Sequence, residues 1–268
     1  IDNYPFYTID GDTLHEVNVG PIHAGIIEPG AFRFICNGER VLHLEIALGY
    51  QHRGVESLIA ATGNRLRQAA IAETIAGDTA VGHTSAFAAV VEKLTGGFES
   101  SPRLEAERTV ALELERIAMH IADTGALCMD IGYQLGQVAS EALRTMVINT
   151  TQLWCGNRFG KGLVRPFGSN FALDGPVSEM IVKNVGDVRR RYRELREDLK
   201  NTPSLLARFE DCGTVPRELL RSIGAVGLAA RAGGLPRDVR ASHPWGAWAA
   251  RKSDDSDMVP NHKPESKD

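Results

Sequence analysis

The side chains able to do chemistry in this sequence are histidines, carboxylates and arginines rather than paired thiols. His23 lies in the turn Gly20-Pro21-Ile22-His23. An imidazole there, titrating near neutral pH, can donate a hydrogen bond or a proton, or can simply bond the backbone of a hairpin. His52 and Arg53 stand beside Glu56 at the start of a helical pattern. Glu56 suits the positive end of the helix dipole, and all three also suit a solvated first turn. His83 opens another helical pattern, where a satisfied polar role is the simplest reading. Glu113, Arg116 and His120 follow one another at spacings of 3 and 4. One helix flank carries them, either as a salt-bridged surface or as a polar line that relays protons to a partner. Asp238 and Arg240 are two apart after the Gly233-Gly234 turn. On an extended segment they point the same way, as an internal ion pair that fixes a loop. The run Arg189-Arg190-Arg191-Tyr192-Arg193 reads as the wet face of a helix, and such a face can also steer an acidic partner.

The four cysteines, Cys36, Cys128, Cys155 and Cys212, include no CxxC pair. The chain has no thiolate set for a metal cluster, and its thiols read as reduced, in a cytoplasmic setting. No signal peptide is visible after Ile1. With 268 residues, 43% of them apolar and 24% charged, the composition is that of one large or two small globular domains. A net charge of −4 offers no broad basic field, which argues against a nucleic-acid partner. The longest apolar runs fall well short of the ~20 residues that cross a bilayer, so membrane association would come through partner subunits.

The elements that must position these residues are legible from periodicity. Residues 1–50 read as strands and turns. Tyr4-Pro5-Phe6-Tyr7 and Leu14 to Val19 are extended candidates, and Ala31 to Cys36 pairs with Arg40 to Ile46 around the hairpin signal Asn37-Gly38. From His52 the period becomes helical. The pattern predicts a helix from Gly54 to Ile75, and a second from Thr79 to Leu94 with Phe87, Val90, Val91 and Leu94 on one face. A third starts at Ser101-Pro102 with the apolar line Val110, Leu114, Ile117, Ile121, and a fourth spans Gln134 to Trp154. A fifth runs from Ser178 to Lys200, with Val185, Val188, Tyr192, Leu195 and Leu199 as its seam. Short helices follow at 203–209 and 215–223. The bundle region is 51–248, and 249–268 is charged, contains proline and reads as a disordered tail. The fold class is α+β, a small N-terminal antiparallel sheet packed on a long helical bundle.

Three stretches, in order, resemble one family. The first runs from Val19-Gly20-Pro21-Ile22-His23-Ala24-Gly25 through Glu28-Pro29-Gly30-Ala31-Phe32-Arg33-Phe34 to Gly49-Tyr50-Gln51-His52-Arg53-Gly54-Val55-Glu56. The second is Gly156-Asn157-Arg158-Phe159-Gly160, leading to Arg165-Pro166-Phe167-Gly168. The third is Asn201-Thr202-Pro203-Ser204-Leu205, leading to Gly227-Leu228-Ala229-Ala230-Arg231 and Asp238-Val239-Arg240. Together they are similar to the large subunits of membrane-linked nickel-iron hydrogenases of the formate hydrogenlyase type, and to the 49 kDa quinone-site subunit of respiratory complex I. In the hydrogenases two CxxC pairs hold the metal centre. Ala76 and Thr79 stand where the early pair would be, and the family-like sequence stops near Trp248, before a late pair. Complex I uses the vacated cavity for quinone, with a tyrosine where this chain has Gly77.

The resemblance implies a quinone cavity reached by His23, the headgroup donor, with His52, Arg53, Gly77 and His83 along its wall. It implies no metal and no cofactor bound by this chain; the iron-sulfur cluster sits in a partner, and quinone is the candidate substrate. Partners are a small iron-sulfur subunit, a 30 kDa-type subunit and membrane-arm subunits, at the cytoplasmic face of the inner membrane. The expected activity is that of an oxidoreductase subunit passing electrons to quinone with coupling to proton movement. NAD(P)H:quinone activity belongs to the family, but no nucleotide-binding loop is visible here and NADH would bind another subunit. Two other readings stand beside it: a non-catalytic scaffold that lost its nickel-iron centre, and an inactive gene fragment.

Overall fold

The computed structural model describes residues 5–23 and 29–251. The expected tail from 249 lies mostly outside the described residues, as do Ala24 to Glu28 of the first motif. The chain forms two compact units, Ile1–Ala61 and Thr62–Asp268.

In the first unit, β1 (Leu14–Val19), β2 (Ala31–Asn37) and β3 (Arg40–Ala47) make an antiparallel sheet in that order. Strand alternation sorts its two faces. Val17 pairs with Phe34 and Val19 with Phe32, and these phenylalanines pair with Leu44 and Ile46, so one face is apolar. On the other face Arg33 bridges Glu16 and, at 2.6 Å, Glu45. The Tyr7 backbone N–H and then Arg33 hold the Glu45 carboxyl below its ordinary range. The hairpin turn falls on Gly38-Glu39, one residue later than the Asn37-Gly38 signal. A register shift after Ile35 compensates: Ile35 faces His43 but Cys36 faces Val41, leaving Leu42 as the extra residue of a bulge. Residues 5–7 are not a strand. Pro5 lacks a ladder donor, and side chains tether the segment instead: Tyr7 N donates to Glu45 at 2.9 Å and Arg33 donates to Tyr7 O at 2.9 Å.

The helix expected over 54–75 is two helices, α1 (Val55–Ala61) and α2 (Arg65–Ala72). Asn64 makes the break. Its side-chain oxygen accepts from the N–H groups of Leu66 and Arg67, which starts a new helix after Gly63. Next come α3 (Ala80–Thr95), α4 (Pro102–Asp130) and α5 (Gln134–Cys155). The face of α3 is another correction. It buries Ala80, Val81, Thr84, Ser85 and Ala88, whereas Val90 and Leu94 are 56% and 83% exposed. Small and hydroxyl side chains allow close approach to α4, and the Thr84 hydroxyl satisfies itself on Ala80 O at 2.7 Å.

Ser101 caps α4 through Leu104 N, and Pro102 occupies its first turn. Its 29 residues make a rod of about 44 Å. α4 and α5 cross on glycine: a Cβ at Gly125 would lie 3.1 Å from Ser140 Cβ, and one at Gly136 would lie 2.8 Å from Cys128 Sγ. After a two-strand hairpin, β4 (Val164–Arg165) and β5 (Gly168–Ser169), α6 (Gly175–Lys200) begins three residues before the expected Ser178. Asp174 is its cap, accepting from Val177 N, with Pro176 in the first turn. The expected seam holds. Val188 and Leu195 are buried, and Val185, Tyr192 and Leu199 pack at the edge of the same core as Leu114, Ile121 and Val147. Tyr192 Oη shares a hydrogen bond with Thr124 Oγ1, which ties α6 to α4. The chain continues through α7 (Pro203–Phe209), α8 (Arg217–Ser222), α9 (Gly227–Ala232), α10 (Val239–Ser242) and α11 (Ala247–Arg251). Leu220, Ala230 and Leu235 form a second small core there.

Two glycines in this bundle should respond oppositely. Gly136→Val forces side-chain bulk into the α4–α5 crossing and should lower stability by about 1–3 kcal/mol. At Gly186, in the exposed interior of α6, nothing lies within 4 Å of a Cβ, so Gly186→Ala should raise stability by about 0.5–1 kcal/mol through helix propensity. Thermal unfolding of both variants checks this; a neutral Gly136→Val would show that the crossing is looser than described.

Candidate functional site

The turn that carries Ala76, Gly77 and Thr79 runs straight into α3, and α3 lacks a cap of its own. Thr79 makes no side-chain capping bond. The carboxylate of Glu115, on α4, takes that role: Val81 N donates to Oε2 at 2.7 Å and Gly82 N to Oε1 at 3.0 Å. The carboxylate is half-buried and so loses part of its hydration. Desolvation pushes the Glu115 carboxyl up to about 7, against the lowering effect of the two amides and of His83. Glu115 lines a small cleft, partly open to solvent, together with Asp78, Met119, Thr151, Arg158 and Phe159. The Arg158 guanidinium lies 5.5 Å from the Phe159 ring centroid and that of Arg144 6.0 Å, so the ring is flanked by two cations. Here is one half-buried acid, one exposed acid and one exposed base around an apolar floor.

The walls are fixed by ion pairs between distant segments. Glu73 accepts from Arg165 at 2.6 Å and from Gly162 N at 2.7 Å, holding the loop after α5 against the end of α2. Arg108, 1% exposed, donates to Glu92 at 2.6 and 3.1 Å and to the carbonyl oxygens of Arg165 and Gly168. It therefore joins α4, α3 and the β4–β5 hairpin. Gly160, at φ +67°, brings the same loop so close that a Cβ would lie 2.5 Å from Val81.

The residues singled out in the sequence are distributed as follows. Gly77 lies exposed in the turn below α3. His83 donates from Nδ1 to Thr79 O at 2.8 Å, with Thr79 Oγ1 at 3.1 Å, the satisfied helix-start role. Glu113 and Arg116 pair at 3.2 Å. Glu113 also accepts from Trp248 Nε1 at 3.2 Å and lies 3.6 Å from Arg240. Asp238 and Arg240 do pair, at 3.2 Å, but not on an extended segment: Asp238 caps α10, accepting from Arg240 N. The two clusters read separately in the sequence are thus one, and it fastens the C-terminal helices to α4, with Ala247 N donating to Thr109 Oγ1 at 3.1 Å. Burial, then Arg116, lowers the His120 imidazole below its ordinary range. In the first unit, His23 is half-buried with its ring 5.8 Å from that of Phe32, edge-on, and His52 and Arg53 are exposed just ahead of α1.

Glu115, Arg158, Arg108 and Glu92 were not anticipated. A signal existed: Arg108, Ala111, Leu114, Glu115, Ala118 and Ile121 fall on one helical face. A charged residue inside an apolar stripe has to be partnered.

Residues 130–254 match the family described as the respiratory-chain NADH dehydrogenase 49 kDa subunit. The individual relatives are of the kind the motifs implied. The chain is 29% identical to the membrane-bound hydrogenase subunit alpha of Pyrococcus furiosus, over 87% of this chain and 54% of the relative. It is 27% identical to formate hydrogenlyase subunit 5 of Escherichia coli, over 91% and 43%. It is 27% identical to an NADH-quinone oxidoreductase subunit of Akkermansia muciniphila, over 88% and 56%. The chain thus spans about half the length of these relatives. Its fold matches a chain of the membrane-bound sulfane sulfur reductase, an archaeal respiratory membrane complex, with a TM-score of 0.81 at 22% identity, covering 91% of this chain and 65% of that one.

The nickel-iron centre implied by the hydrogenase relatives does not fit the residues present. Ala76 and Thr79 offer no thiolate. Cys128 and Cys155 are buried, with thiols pushed up by desolvation, and Cys155 donates to Thr151 O. Among the described residues, no group of three or more His, Cys, Asp or Glu is placed to hold a metal.

The acid at Glu115 makes a signed pH prediction. Its folded-state pKa lies above its unfolded value, so the native state binds the extra proton between about 4.5 and 7. Its contribution is full below 4.5 and lost as pH rises through 7, by roughly 3 kcal/mol. Denaturant unfolding of wild type and Glu115→Gln should show the wild-type advantage shrinking by that order between pH 4.5 and 7.5. A difference that grows with pH would mean that the Val81 and Gly82 amides keep the group ionised.

Proposed function

We propose that this chain serves as the quinone-site subunit of a membrane-associated, complex I-like or hydrogenase-related oxidoreductase. In this reading it takes electrons from an iron-sulfur cluster in a small partner subunit and passes them to quinone, with coupling to proton movement. It works alongside a 30 kDa-type subunit and membrane-arm subunits at the cytoplasmic face of the membrane, and binds no cluster itself. No helix of the described residues is long and apolar enough to cross a membrane, so attachment would be through those partners. The observation that carries the choice of quinone over hydrogen is the turn at Ala76 and Thr79. It opens on a cleft furnished with a protonatable carboxylate and an aromatic ring, and has no soft ligand for nickel.

His23 is the proposed headgroup donor, because its Gly-Pro turn resembles the loop that carries that histidine in complex I; His52, Arg53, Gly77 and His83 are proposed for the cavity wall. The polar line of Glu113, Arg116 and His120 is the proposed relay, and the contacts of Glu113 with Arg240 and Trp248 give that member a structural task as well. The scaffold reading differs in a single measurable way. His23→Ala in the assembled complex, at matched subunit content, should reduce quinone turnover about a hundredfold, the scale of a lost proton donor, with little change in stability. Equal rates would remove His23 from the mechanism and favour the scaffold.

A further inference from the structure

Glu115 is the one cleft residue whose surroundings keep it from being a plain structural cap. Each carboxylate oxygen accepts a single backbone N–H, from Val81 and Gly82. Each oxygen has a second lone pair, so the group can hold a proton without releasing α3. Its neighbours are few. Asp78 comes from the turn before α3, His83 from α3 itself and Arg158 from the loop after α5, while α5 lines the cleft with Ile148 and Thr151 and carries Arg144, 6.0 Å from the Phe159 ring. Neither Asp78 nor Arg158 is bonded to it in the hydrogen-bond and ion-pair network of the cleft, so no fixed countercharge locks it ionised.

We propose that Glu115 is the proton-exchanging group of this cleft, giving a proton to a quinone-class acceptor as that acceptor is reduced. This rests on the quinone reading above. The acceptor takes two electrons from the partner's iron-sulfur donor and two protons, becoming the hydroquinone. Glu115 supplies one: its O–H bond breaks as a quinone O–H bond forms, and the carboxylate is reprotonated from solvent through the open side of the cleft. The second proton comes from solvent. Burial keeps the acid form populated near neutral pH, where a donor is most effective.

Redox-triggered infrared difference spectroscopy on the assembled complex, with a short-chain ubiquinone analogue as the probe, reads the group directly. Wild type should lose and regain a carboxylic-acid C=O band during a reduction–reoxidation cycle. Glu115→Gln should lack that band and turn over the analogue about 100-fold more slowly. Glu115→Asp, which keeps the acid, should show the band at a shifted frequency, restore most of the rate, and serve alone if the Gln variant does not assemble. A band that persists in Glu115→Gln, that does not shift in Glu115→Asp, or that is missing from wild type overturns the assignment. A wild-type complex that reduces no quinone analogue overturns the quinone reading instead, and the band under reduction of the partner's cluster alone still decides whether Glu115 exchanges a proton.

Discussion

The cleft of the second unit depends on the borrowed cap at the start of α3. A helix beginning at Ala80 needs acceptors for its first N–H groups, and Thr79 supplies none. Glu115 reaches from α4, 34 residues along the chain, and satisfies two of them. Everything around the site follows from that bridge. It fixes where the Ala76–Thr79 turn ends, it places a carboxyl in the cleft, and it sets against α4 the face of α3 that buries Ala80, Val81, Thr84, Ser85 and Ala88. The Arg108–Glu92 pair makes the same junction further along, and Glu73 with Arg165 closes the far wall. Buried ion pairs of this kind contribute little net energy over an apolar equivalent, yet losing one partner costs about 3–5 kcal/mol. They therefore specify the arrangement more than they stabilise it.

The sequence was most informative where a period ran long. The seam of α6, from Val185 to Leu199, and the α4 line through Leu114 and Ile121 are in the core as periodicity implies. It was least informative where one side chain overrode the pattern. Asn64 broke a helical run in two by capping its second half, and Leu42 bulged so that Gly38-Glu39, rather than Asn37-Gly38, made the turn. α3 misled for another reason. Its large apolar residues Val90 and Leu94 face outward, while hydroxyl and alanine positions pack inward. Periodicity cannot weigh close approach against bulk. The short helices α10 and α11 are held by side-chain contacts across more than 100 residues, such as Arg240 and Trp248 with Glu113, which no local pattern encodes.

The site was legible in its location and only partly in its parts. Comparing the turn at Ala76 and Thr79 with the family pointed to this region, because those positions lack the thiols a nickel-iron centre needs. Glu113, Arg116 and His120 drew notice for their spacing, yet the carboxyl that enters the cleft is Glu115, one position off that flank. An acid inside an apolar stripe is a better sign of a working group than acids on a wet face, because burial makes its charge state responsive to its surroundings.

A cleft that operates without a metal of its own is the claim on which the quinone reading stands. Elemental analysis of the purified chain, expressed with nickel and iron supplied, tests it most directly. The predicted result is no stoichiometric nickel or iron. About one nickel per chain would contradict it.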